Sequence, residues 1–164
     1  MGQTGNTQEI RLGLADVSYG GVSLGFTVEG VVVTLTHQQA NIVVDDFGET
    51  PVDVYDIGEQ IQVVVPITQI SLANLVIAIP GATLTSDRIK VGRQAGTKLT
   101  SQELILDATS VGDFNITIYR AIVPNAGDYI FNNEQRVVPV TFMGLIDTSR
   151  PDGDRLYRIG GPAS

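Results

Sequence analysis

Hydrophobic residues recur at every second position through run after run of this chain, and a period of two commits it to β-strands. Val31, Val33 and Leu35 alternate with Val32, Thr34 and Thr36. Ile61, Val63, Val65 and Ile67 alternate with Gln62, Val64 and Pro66. Phe114, Ile116 and Ile118 alternate with Asn115, Thr117 and Tyr119, and Val138, Val140 and Phe142 alternate with Pro139, Thr141 and Met143. Shorter strands are expected at Ala40 to Val44, Arg88 to Gly92, Glu103 to Asp107 and Arg155 to Ile159. Pro66 and Pro139 each lack a ladder donor, which predicts edge positions or bulges there.

One segment breaks the period. In "SLANLVIAIPG", Leu72, Leu75, Val76 and Ile79 follow i, i+3, i+4, i+7. Ser71 suits the N-cap, and Pro80-Gly81 is a stop signal. The spacing predicts one short amphipathic helix with that apolar stripe packed on a sheet, although the β-branched and Leu content also permits a buried strand. The chain therefore reads as mainly β, a β-sandwich or barrel with one flanking α-helix and extended N- and C-terminal arms. The expected division is an N-terminal arm over 1–16, the β domain over 17–147 and a C-terminal arm over 148–164. The last of these, "TSRPDGDRLYRIGGPAS", mixes Pro, Gly and charge, and such ends are mobile unless a neighbour ties them down.

Charge is scarce and lopsided. Charged residues make up 17% of the 164 and hydrophobic ones 43%, against about 25% charged in an ordinary soluble domain. A small domain so poor in charge has trouble covering its own surface, which points to an assembling subunit; a large core would give the same numbers. The net charge is -8, and no Lys or Arg occurs from Leu12 through Asp87, where nine acids do. Phosphate contacts need clustered bases, so stable DNA binding is a poor fit, while a surface that DNA passes without sticking is compatible. There is no cysteine, which excludes disulfides and thiolate metal sites and fits assembly in a reducing cytoplasm. Met1 to Gln8 has neither a basic patch nor an apolar run, so no signal peptide is expected. No apolar run approaches the roughly 18 residues of a membrane span, so no membrane anchor is expected.

Catalytic and ligand-binding patterns are few. "GVSLG", Gly21 to Gly25, matches the G-x-S-x-G nucleophile elbow, which sits between a strand and a helix. Here "FTVEGVVVTLTH" follows, which is strand-like, and the single histidine, His37, is separated from Ser23 by one acid, Glu29. A glycine-rich turn with positive φ explains the stretch better. His37 has no His or Cys partner for a zinc site and reads as a strand-end or surface residue. "DDFGETPVDVYDIGE" holds six carboxylates, Asp45, Asp46, Glu49, Asp53, Asp56 and Glu59. Its spacing does not match an EF-hand, and a solvated acidic loop is the plain reading. The functional one is an acidic surface facing a channel or a basic neighbour, the nearest bases being Arg88, Lys90, Arg93 and Lys98. "GRQAGTK" is one residue short of a phosphate loop and has Leu99 where a hydroxyl is needed. "PDGD", Pro151 to Asp154, is a turn signal. No catalytic residue, metal or cofactor is expected, and the chain reads as a structural or interaction protein rather than an enzyme.

The order of features from Val17 to Ile79 resembles that of tailed-bacteriophage tail tube proteins. A glycine turn, "YGGVSLGFTVEGVVV", leads into the strand pair "VVVTLTHQQANIVVDD", then the acidic connection "FGETPVDVYDIGE", then the strand "QIQVVVPIT" running directly into the helix "ISLANLVIAI". "KVGRQAG…LILDA" and "RVVPVTFMGLID" resemble the closing strands. Gln69-Ile70 departs from the family, where many members carry a carboxylate before the helix. The resemblance implies a virion structural protein whose hexameric rings stack into a hollow conduit for DNA ejection. It implies self-association, tape measure, terminator and in sheathed tails a sheath protein as partners, DNA as unbound cargo, and assembly in the host cytoplasm. It makes Asp45, Asp46, Glu49, Asp53, Asp56, Glu59, Arg88, Lys90 and Arg93 candidates for inter-subunit or lumen positions. Another β-rich virion part, a capsid decoration or head-tail connector protein, is the alternative. A Ser23 hydrolase and a carbohydrate- or calcium-binding β module are further ones.

Overall fold

A computed structural model describes residues 15–108, 114–129, 134 and 136–161. The strands are β1 (Ala15–Tyr19), β2 (Val22–Ser23), β3 (Val32–Val43), β4 (Pro51–Ile67), β5 (Thr83–Thr85), β6 (Arg88–Lys90), β7 (Gln102–Ala108), β8 (Ile116–Ile122), β9 (Val138–Gly144) and β10 (Tyr157–Ile159). One helix, α1 (Leu72–Ala78), follows β4. Eight strands form one antiparallel sheet in the order β2-β1-β7-β8-β9-β4-β3, with β10 added to β8, while β5 and β6 make a separate hairpin. The chain is mainly β, as the alternation predicts, and among the described residues it has one short α-helix where the period breaks.

The sheet closes around one core because β8 changes partner along its length. Its Ile116–Ile118 half pairs with β10, and Ala121–Ile122 pairs with β9. The bend brings β1 opposite β9, three places away in the strand order. Tyr19 meets Phe142 with ring centroids 5.0 Å apart, and the Tyr19 hydroxyl donates to the Ala121 carbonyl at 2.9 Å. Burial pushes the Tyr19 phenol above its ordinary pKa, so it stays a neutral donor. Ile61, Val63, Val65 and Ile67 from β4 lie in the same buried cluster as Val17, Leu104, Ile118 and Val140. Each large aliphatic side chain so buried contributes about 2 kcal/mol.

Pro66 and Pro139 stand directly opposite each other in the β4–β9 ladder. Neither strand is at a sheet edge, yet both prolines sit where the outer ladder has stopped. β3 pairs with β4 only as far as Val64, and β8 pairs with β9 only at Met143 and Gly144. The Pro66 carbonyl accepts from Val28 N, away from β9, so the missing donor on the same edge of that residue leaves no sheet bond unmade.

β1 and β2 form a hairpin around Gly20-Gly21, with Tyr19 paired to Val22 and Ser18 to Ser23. Both glycines have positive φ, 59° and 83°, the signature of a two-residue type I′ turn. The expected glycine turn is therefore present, and Leu24 behind it is fully buried.

The helix begins and ends where the signals place it. The Ser71 hydroxyl accepts from Asn74 N at 3.2 Å, and Ile79, just before Pro80-Gly81, already has extended dihedrals. The face it buries shares only Leu75 with the expected stripe among residues packed against the core. Leu72 is exposed, while Asn74 and Ala78 are buried and Leu75 and Ile77 pack against the core. The reason is a polar anchor: the Asn74 amide donates to the carbonyls of Leu24 at 3.1 Å and Gln69 at 2.8 Å, which turns that side inward.

Residues 1–14 of the expected N-terminal arm lie outside the described residues; Ala15 and Asp16 already belong to β1. The stretch expected as the C-terminal arm is tied to the domain as far as Gly161. β10 pairs with β8, and Leu156 is buried in the core. Arg150 stacks over the Tyr119 ring at 3.6 Å and donates to Asp154 at 3.0 Å, while the Tyr119 hydroxyl donates to the same carboxylate. These contacts cover the outer side of β8, which explains why Thr117, Ile118 and Tyr119 are buried in succession.

Candidate functional site

β3 and β4 continue past the core as a long two-stranded hairpin. β9 pairs with β4 only from Gln62 onward, so beyond Ile61 the pair has no further sheet neighbour among the described residues. From Thr34 to Val43 this arm spans about 30 Å at the usual rise per residue. Its residues are almost all exposed on both faces, including Leu35, Phe47, Val54, Tyr55 and Ile57. The expected separate strand at Ala40 to Val44 is simply the outer half of β3.

The acidic segment is therefore not a loop, which corrects the plain reading of "DDFGETPVDVYDIGE". Asp45 and Asp46 lie in a 3-10 turn over Asp45–Phe47, Glu49 follows in the tip, and Asp53, Asp56 and Glu59 are strand residues of β4. Strand pairing overrides their polarity because Val52, Val54 and Ile57 still supply β-forming positions between them. The six carboxylates are dispersed rather than pooled. Three sit at the tip, Asp53 lies on one face opposite Ile42, and Asp56 and Glu59 lie on the other.

A β-bulge makes this last pairing. Residues three apart in a regular strand point to opposite faces. Gln38 pairs with Gly58 and Gln39 with Asp56, so Ile57 is the extra residue. Gly58 adopts φ 156° there, and its N–H donates to Asp56 Oδ1 at 3.0 Å. The slip returns Asp56 to the face of Glu59, whose cross-strand partner is His37. His37 Nε2 lies 3.2 Å from Asp56 Oδ1, and Nδ1 lies 3.4 Å from Glu59 Oε1. All three side chains are about half exposed. Of the two expected places for His37, a strand end or a surface, the surface holds: it is half exposed in the middle of β3. Its two carboxylate neighbours were not legible without the bulge, for which Gly58 inside an alternating run is the available signal.

Arg88 and Lys90 lie on β6, with Arg93 and Lys98 in the loop beyond it, and all four are exposed. Arg88 pairs with the adjacent Asp87 at 3.1 Å. Among the described residues no ion pair joins these bases to the acids of β4 or its tip. Acidic arm and basic hairpin are thus not joined by charge within the described residues. Arg93 also borders a cavity of about 220 Å³ between the end of α1 and Gln102 of β7.

The remaining motifs take structural roles. Ser23 Oγ accepts from Gly25 N at 3.3 Å, and the histidine that a hydrolase would require is engaged on the β3–β4 arm. In "GRQAGTK" the Thr97 hydroxyl donates to the Gln94 carbonyl at 2.8 Å, closing a turn. In "PDGD" Asp154 N donates to the Pro151 carbonyl at 3.1 Å, and its two carboxylate oxygens are taken by Tyr119 and Arg150. Those partners hold the Asp154 carboxyl below its ordinary value, the Tyr119 hydrogen bond foremost. Asp147 is lowered likewise, by the hydroxyl and N–H of Ser149.

No protein-family model matches the chain, and no curated protein does. No helix among the described residues is long and apolar enough to cross a membrane.

Proposed function

We propose that this chain is a self-assembling tail tube subunit of a tailed bacteriophage, structural rather than catalytic, whose hexameric rings stack into a conduit for DNA. The β3–β4 arm carries this reading. An antiparallel pair with apolar side chains on both faces and no core beneath it is an interaction element. Its acids have no Lys or Arg counterpart on the arm, whereas β6 and its following loop present Arg88, Lys90, Arg93 and Lys98 in the open. A second copy of the chain satisfies both surfaces, its basic hairpin receiving the acidic arm. Such a head-to-tail contact is heterologous and propagates into rings or filaments. The acids left uncovered would line a lumen that DNA passes without counterion release.

Electron microscopy of the purified protein at high concentration tests this. Open-ended tubes of uniform diameter are expected. A strictly monomeric protein overturns the proposal, and a closed ring that never stacks replaces it with a connector or decoration protein.

A further inference from the structure

We propose that His37, Asp56 and Glu59 form a binding site for a divalent transition metal, with Zn²⁺ as the cation that fits best. This inference is independent of the assembly reading. The three residues offer one imidazole nitrogen and two carboxylate oxygens, one donor atom each, all within 4.8 Å of one another. Tetrahedral zinc with bonds of about 2.0–2.2 Å sets its ligand atoms about 3.3 Å apart, and the Nε2–Oδ1 separation is already 3.2 Å. One imidazole nitrogen serves one metal, so Glu59 closes the third position by rotating its exposed side chain. The imidazole selects zinc-like ions over Ca²⁺ and Mg²⁺, which prefer all-oxygen shells.

Two further observations favour a cation here. The charge of Asp56 and Glu59 is not offset by any Lys or Arg from Leu12 through Asp87, and among the described residues their side-chain ion-pair partner is His37. Water screens these half-exposed carboxylates, and a bound cation would add a direct counter-charge between them. The ligands also come from both strands at the point where the bulge interrupts the ladder. The Gly58 N–H fixes one oxygen of Asp56 in place, the kind of outer contact that orients metal ligands. A bound ion would clamp β3 to β4 across the bulge, and the half-exposed site keeps a fourth position for water or a donor from a neighbouring molecule.

Calorimetric titration of the metal-stripped full chain with ZnCl₂ tests the proposal. One saturable Zn²⁺ per chain is expected, with affinity falling at least tenfold in His37→Gln and in Asp56→Asn, and with excess Ca²⁺ failing to compete. Circular dichroism checks that the variants stay folded, as exposed positions should. Absence of saturable binding overturns the proposal. Equal affinity in folded His37→Gln also overturns it, because the ion would then be held by the carboxylates alone.

Discussion

The side-chain amide of Asn74 donates to the main-chain carbonyl of Leu24 across 50 residues of sequence at 3.1 Å. This bond and its companion to Gln69 lock α1 onto the turn that follows β2. Replacing Asn74 with Ala removes both donors and leaves the buried Leu24 carbonyl unmet, at a cost of about 2–3 kcal/mol. Urea denaturation measures it. A loss below about 0.5 kcal/mol would show that the helix is held by apolar packing alone.

The glycines around Ser23 should rank by what surrounds them. Gly25 has φ 76°, and a Cβ there would run into the Gln69 side chain. Gly21 has φ 83° but open space around it, so Gly21→Ala carries the left-handed strain of about 1 kcal/mol and little else. Gly25→Val should destabilise more than Gly21→Ala, with Ser23→Ala within about 0.5 kcal/mol of the parent and still able to assemble. Thermal melts of the three variants settle the order, and equal tolerance at all three positions refutes it.

Acid should loosen the C-terminal clamp in a defined window. The folded-state pKa of Asp154 is lowered, first by the Tyr119 hydroxyl, so its stabilisation is complete above the unfolded value of 3.8 and disappears as pH falls through the lower folded value. Tyr119→Phe keeps the ring under Arg150 but removes that hydrogen bond. The melting temperature of Tyr119→Phe should lie below the parent at pH 6 and converge with it as pH drops below about 3.8. A gap that stays constant across that range would separate Asp154 from the effect.

The arm should be dispensable for folding and required for assembly. Phe47 and Ile57 are among its most exposed apolar residues, so Phe47→Ser with Ile57→Thr should change stability by about 0.5 kcal/mol or less. The same double variant should lose tube formation in electron micrographs. Normal tubes from the double variant would remove the arm's apolar surface from the assembly contact.

What the sequence determined alone is whatever depends on local period and local chemistry. Ile61 to Ile67 and Val138 to Phe142 alternate because one face meets the core, and they are strands facing it. Ser71 and Pro80-Gly81 bound the helix, and Gly20-Gly21 make the turn, since capping and positive φ are decided within a few residues. Tertiary structure decided the rest. Pro51 to Glu59 looks like an acidic loop until β3 pairs with it, because strand identity without burial comes from a partner remote in sequence. One extra residue at Ile57 reverses the face of everything before it, and only the β3–β4 register reveals that Asp56 and Glu59 share His37. Asn74 sits among apolar residues that fit either face of a helix. The carbonyl of Leu24, reached only once the chain has folded back, chose the face that is buried.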